Sequence, residues 1–306
     1  ASGDISARAA NAALGGTLSS GGTVGVTATD ASVTGRLAAK TAIDVTATGA
    51  ATLASGSSLE SDGSTSVKGA NVAANGTLLS RTTTLIGATA ALDQTGRIEA
   101  RDGITLSSLG SLSNSGTVLT LGTVSVTGGA TDLAGDIQGK TLTVNAQDLR
   151  VRGKLSAGEV LDLIAANALT TDATAALASG AAFGISAGTN ATLDGTVDAG
   201  GALSVTATDA LTLTGVAKSG ANASLRGRAI TLDGSLAADD IASVDATNAL
   251  SINGALSGVD GLTVRGGTVE IGALARLRTN QALNLTSDSR FVNAGDISAL
   301  GAVSVN

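Results

Sequence analysis

The sequence predicts an all-β solenoid: a right-handed parallel β-helix of about 15 coils, each about 20 residues long and built from three short strands. Three observations lead there. Glycine returns about every 20 residues with a branched aliphatic residue two places later, as in Gly16-Thr17-Leu18, Gly35-Arg36-Leu37, Gly76-Thr77-Leu78, Gly96-Arg97-Ile98 and Gly116-Thr117-Val118. Between glycines, apolar and polar residues alternate with the period of two that marks strands. Pro, which would remove a ladder donor from a central strand, is absent, as are Cys, His, Met, Trp and Tyr.

Each element follows from this pattern. The glycine series continues at Gly135-Asp136-Ile137, Gly153-Lys154-Leu155, Gly195-Thr196-Val197, Gly234-Ser235-Leu236, Gly254-Ala255-Leu256, Gly272-Ala273-Leu274 and Gly295-Asp296-Ile297. Ser57-Ser58-Leu59 and Ala175-Ala176-Leu177 fill two gaps without glycine, and Gly215-Val216-Ala217 keeps the glycine with a weaker apolar residue. Leu18, Leu37, Leu59, Leu78, Ile98 and Val118 are therefore expected in one buried stack. In the copy Gly195 to Thr214, Val197 opens the coil and Ala199-Gly200-Gly201 turns it. Leu203, Val205 and Ala207 form a second strand, Thr208-Asp209 turns again, and Leu211 and Leu213 close. Val24, Val26, Ala28 and Leu142, Val144, Ala146 repeat the second strand elsewhere.

These runs are too short for helices, and Thr, Val and Gly are poor helix formers. Coils of about 18 to 23 residues do not fit a left-handed hexapeptide helix. Parallel crossovers are right-handed in nearly all cases. Stacking at about 4.8 Å predicts a rod of roughly 70 Å.

At 306 residues, the whole of 1–306 reads as one repeat domain. It reads as a piece cut from a longer chain, without an initiator Met and stopping within a repeat after Val303-Ser304-Val305. The net charge of −7 disfavours nucleic acid, whose affinity comes from neutralising phosphates. No apolar run approaches the roughly 18 residues of a spanning helix.

Two kinds of coil ending occur. One is short, as in Val33-Thr34-Gly35 and Leu213-Thr214-Gly215. The other is longer: Leu92-Asp93-Gln94-Thr95-Gly96, Leu112-Ser113-Asn114-Ser115-Gly116 and Phe291-Val292-Asn293-Ala294-Gly295. In the longer form the apolar residue and the amide share a face, so Gln94 and Asn114 are expected to point inward or into a tight turn and to form a short amide ladder or backbone hydrogen bonds between coils.

The segments from Leu112 to Val118 and from Val292 to Ala299 resemble the filamentous haemagglutinin repeat of large exoproteins secreted by Gram-negative two-partner systems, among them adhesins and contact-dependent inhibition toxins. The resemblance implies a right-handed β-helix shaft and supplies no catalytic, cofactor or metal residues. It implies a secreted, cell-surface location, an outer-membrane secretion partner for the parent protein, and contact with host cells or neighbouring bacteria through other domains. The chain is thus expected to be no enzyme but a structural shaft segment that displays distal adhesive or toxin domains. The alternatives are a β-helix enzyme acting on polysaccharide, or a segment that itself binds receptor or glycan.

Chemistry on the surface is weighed against turn composition. Asp239, Asp240 and Asp260 fall at the same turn of successive coils and are the best candidate for acid–base catalysis, but Asp suits exposed turns. That corner also carries Lys40, Asp62, Arg81, Arg101, Asp102 and Lys140, a mixed set that suits solubility. Gly21-Gly22-Thr23-Val24-Gly25 lacks the Asp and spacing of a calcium β-roll.

Outward Thr pairs at Thr27-Ala28-Thr29, Thr46-Ala47-Thr48 and Thr206-Ala207-Thr208 have the local form of an ice-binding rank, which Lys68, Asn145, Gln147, Arg226, Arg228 and Arg265 interrupt. Arg150, Arg152 and Lys154, and Arg226 with Arg228, are small basic clusters open to acidic glycans or to plain solvation. Asn75, Asn190, Asn222 and Asn284 begin Asn-x-Ser/Thr tripeptides that composition alone would produce.

Overall fold

The computed structural model of the chain describes residues 1–306. It contains strands and turns and no helix, and its strands pair in parallel into a β-solenoid of about fifteen coils. The chain divides into two compact units, Ala1–Gln147 with Gly153–Leu155, and Asp148–Arg152 with Ser156–Asn306.

In the first unit the expected stack exists. Leu18 pairs with Leu37, Leu37 with Leu59, Leu59 with Leu78, Leu78 with Ile98, and Ile98 with Val118. All but the half-buried Leu18 are fully buried. The second arms stack Val26, Val45, Val67, Ile86, Leu106 and Val126. The third arms stack Val33, Leu53, Ala74, Gln94, Asn114 and Leu133. Second and third arms often run on as one strand that bends at the corner, as in Val24–Val33 and Thr83–Gln94.

The second unit repeats this order. Its first arms stack Leu177, Val197, Ala217, Leu236, Leu256, Leu277 and Ile297. Its second arms stack Leu163, Ile185, Val205, Leu225, Val244, Val264 and Leu285. Ala217 takes the inward place while Val216 points out, as expected of that weaker copy. Phe183, between Leu161 and Leu203, is 1 % exposed, so the interior accepts an aromatic ring.

The glycine repeat has a steric cause. A Cβ on Gly35 would lie 2.0 Å from the carbonyl oxygen of Gly16, one on Gly96 2.0 Å from that of Gly76, and one on Gly215 2.0 Å from that of Gly195. None of Gly35, Gly96 and Gly215 has a positive φ. The corner therefore needs close approach of successive coils, and conformational freedom is secondary.

One expected register is corrected. Gly272-Ala273-Leu274 is not a core triplet: Leu274 is 85 % exposed, and Leu277, 0 % exposed, pairs with Leu256. The reason is a longer turn. Ala275 N–H donates to the Gly272 carbonyl, just as Ser57 donates to Ala54 and Ala175 to Asp172. These are the coils in which Ser57 and Ala175 replace glycine, because the wider turn relieves the close approach.

Candidate functional site

Three polar systems are built into the coils. The first is the interior amide pair. Gln94 and Asn114 are both fully buried, Asn114 Nδ2 donates to Gln94 Oε1, and Gln94 Nε2 donates to the Gly96 carbonyl at 2.7 Å. Asn114 Oδ1 has no partner, nor does Oγ1 of the buried Thr131. The third amide, Asn293, is exposed and aligned with Ile271, and its Oδ1 accepts from Gly295 N–H at 3.0 Å.

The second system was not anticipated from sequence. The last residue of the first arm turns inward at the corner, and in several coils it is Ser or Thr. Ser20, Ser61 and Thr120 each accept from the backbone N–H two residues on, at 3.0 Å. Ser219 Oγ donates to the Gly201 carbonyl of the previous coil at 2.7 Å. A short hydroxyl here replaces a missing backbone bond at the bend. Between two such corners, Ser80 donates to Thr65 at 2.8 Å and receives from Thr84 at 2.9 Å, a buried hydroxyl chain.

The third system is the charged outer face of the first arms in the first unit. Arg36 and Glu60 form a two-point ion pair, with Nε to Oε1 at 2.9 Å. The hydrogen bond from Arg36, then that from Ser58, holds the Glu60 carboxyl down to about 2. Arg97 pairs with Glu99. At the following corner Asp62 receives Arg81 at 3.1 Å and Lys40 at 4.0 Å. Leu79 and Leu119 alternate with Glu60 and Glu99 along one outward column. Together with Leu121, which is 78 % exposed, they line a shallow groove of about 700 Å³. A smaller groove of about 400 Å³ in the second unit runs past Val259, Arg278, Asp296 and Leu300.

The residues singled out from sequence fall as follows. Asp240 and Asp260 do occupy one corner in successive coils, with Asp260 N–H donating to the Asp240 carbonyl at 3.0 Å. Asp239 and Asp260 are exposed, and neither groove includes the three carboxylates. No three acidic, His or Cys side chains converge as a metal cluster would require.

Arg150 is held by Asp172 at 2.7 Å, a bond that lowers the Asp172 carboxyl below its ordinary range. Arg152 and Lys154 are exposed. Arg226 lies in a column with Thr206, Asp245 and Arg265, so an opposite charge follows it directly. Thr27 and Thr46 are in register, and Lys68 ends that rank. Asn190 and Asn222 each accept a backbone N–H from the next coil, from Ala210 and Ile241 at 3.1 Å. Asn75 accepts the Thr95 hydroxyl at 2.7 Å. Asn284 is exposed. No helix is long and apolar enough to cross a membrane.

No family model, no curated protein and no solved structure matches this chain.

Proposed function

We propose that this chain is a structural shaft segment of a large secreted bacterial surface exoprotein. In this reading it carries adhesive or toxin domains of the parent away from the outer membrane, after export through an outer-membrane partner. Contact with host cells or neighbouring bacteria is left to those other domains. The observation that carries the reading is the use each coil makes of its own residues. In each unit the inward positions fill a mainly aliphatic core, corner glycines let the coils close up, and corner Asp, Asn, Ser and Thr bond to the adjoining coil. Such a design spends its polar groups on extension, and solenoids of this kind tolerate gain or loss of whole units because each touches only its neighbours.

The test is removal of one coil, Gly195 to Thr214, in the parent protein. The deletion puts Val216 in the register position that Thr196 held and should shorten the stack by about 4.8 Å while export and display of distal domains persist. Loss of adhesion with the distal domains still displayed would make the segment a binding site. Polysaccharide cleavage that disappears on Asp240→Asn or Asp260→Asn would make it an enzyme.

A further inference from the structure

The groove on the first unit has an uneven chemistry along its length. It extends from the Arg36 coil to the Thr117 coil, four ladder steps of about 4.8 Å, or about 19 Å. From the Asp62 coil, where the two cations meet, three of those steps, about 14 Å, remain to the Leu121 coil, close to half of the roughly 30 Å hydrocarbon core of a bilayer, the reach of one acyl chain. Across its first three coils two cations, Lys40 and Arg81, share from either side the single carboxylate of Asp62. Arg36 and Glu60 satisfy each other nearby and leave that local excess of positive charge in place. Leu79 lies in the coil of Arg81, and Leu119 and the largely exposed Leu121 lie two coils farther on, past the stems of Glu99, which is paired to Arg97, and of Arg101.

We propose that this groove binds a monomeric long-chain carboxylate, with the carboxylate at Lys40 and Arg81 and the chain over Leu79, Leu119 and Leu121. The site goes beyond the shaft reading and stands whether or not that reading holds. Charge complementarity fixes the head: a second anion gives the two cations two partners, and a guanidinium suits a carboxylate well. The floor fixes the rest of the ligand. Its strands have their N–H and C=O groups engaged in ladders on both sides. An extended peptide laid there would keep its own backbone groups unpaired, which is costly once water is displaced. A hydrocarbon chain brings no such groups, and the stems of Lys40 and Arg81 add apolar wall.

The experiment is titration calorimetry of the full chain with dodecanoate below its micelle concentration, in parallel with dodecyltrimethylammonium. Dodecanoate is expected to bind one per chain and the cation not to bind. Leu121→Ser should weaken dodecanoate about tenfold, and Arg81→Gln by a similar factor. Asp62→Asn, which removes the competing carboxylate, should tighten it severalfold. Leu274→Ser, at an equally exposed leucine outside the groove, should change nothing.

Circular dichroism confirms the fold of each variant, and none of these side chains is part of the core. Equal binding of the cationic amphiphile would overturn the proposal. So would equal loss on Leu274→Ser, or binding confined to vesicles of anionic phospholipid with none to the monomer, which would mark a membrane-surface contact instead.

Discussion

Replacing Gly96 by Ala tests why glycine recurs. The added Cβ would sit 2.0 Å from the Gly76 carbonyl oxygen and 2.7 Å from the Asn75 carbonyl carbon. Carbon contacts are most favourable near 3.5 Å, so the corner must open by roughly 1 to 1.5 Å. Overpacking of this kind costs about 1–3 kcal/mol. The same opening stretches two bonds between coils, Gly96 N–H to Ala74 C=O at 3.0 Å and Arg97 N–H to Gly76 C=O at 3.1 Å, each worth about 1 kcal/mol net. The expected loss is about 3 kcal/mol.

Gly25→Ala is the control in the same unit. Its nearest atom is 3.9 Å away and its φ is negative, so it should be neutral or stabilising by up to about 1 kcal/mol. The assay is urea unfolding followed by far-ultraviolet circular dichroism, with amide hydrogen exchange to localise the effect, because a solenoid need not unfold in one step. Protection should fall at Gly96 and Arg97 in the first variant alone. Equal midpoints for the two variants would refute the close-approach explanation.

The interior amides should behave as a unit. Asn114→Leu alone strands the buried Gln94 Oε1 and should cost about 1–3 kcal/mol, whereas the double change of Gln94 and Asn114 to Leu should recover most of that loss in a urea double-mutant cycle. The corrected register predicts that Leu277→Ala costs about 2–5 kcal/mol while Leu274→Ala stays within about 0.5 kcal/mol, both read from unfolding midpoints. The Glu60 carboxyl is lowered in the folded chain from 4.5 to about 2. Its pairing with Arg36 therefore contributes above 4.5 and is lost as pH falls through about 2. The pair is well exposed, so the contribution stays below about 1 kcal/mol, and Glu60→Gln should flatten stability over that acid interval.

Much of this architecture was legible because inward and outward residues alternate without interruption. Leu37, Leu59, Leu78, Ile98 and Val118 could be aligned by spacing alone, and even Ala217 was recognisable as a weak rung. The interior placement of Gln94 and Asn114 followed from their two-residue offset from Leu92 and Leu112. The register near Leu274 did not follow, since Gly272-Ala273-Leu274 and Ala275-Arg276-Leu277 both set an aliphatic residue two places after a small one. Only the turn that bonds Ala275 to Gly272 decides between them.

The corner hydroxyls were hidden for a different reason. Ser20, Ser61, Thr120 and Ser219 look like ordinary strand residues until the coil closes and brings a carbonyl or N–H to each. The groove was half visible. Lys40, Asp62, Arg81 and Arg101 were seen to share a corner, but Leu79, Leu119 and Leu121 join them only across several coils.

The pairing of each coil with the next also sets how the chain can fold. Leu18 meets Leu37 at a separation of 19 residues, and Leu37 meets Leu59 at 22. Every closure in such a ladder is therefore a short one, and its entropic cost does not grow with chain length. Once one coil exists, it presents a complete edge of donors, acceptors and apolar knobs to the next. Growth from a first coil is templated, and only that first coil must form without a template. A chain delivered from one end in extended form would need to emerge by only about one coil before its next increment of structure could lock.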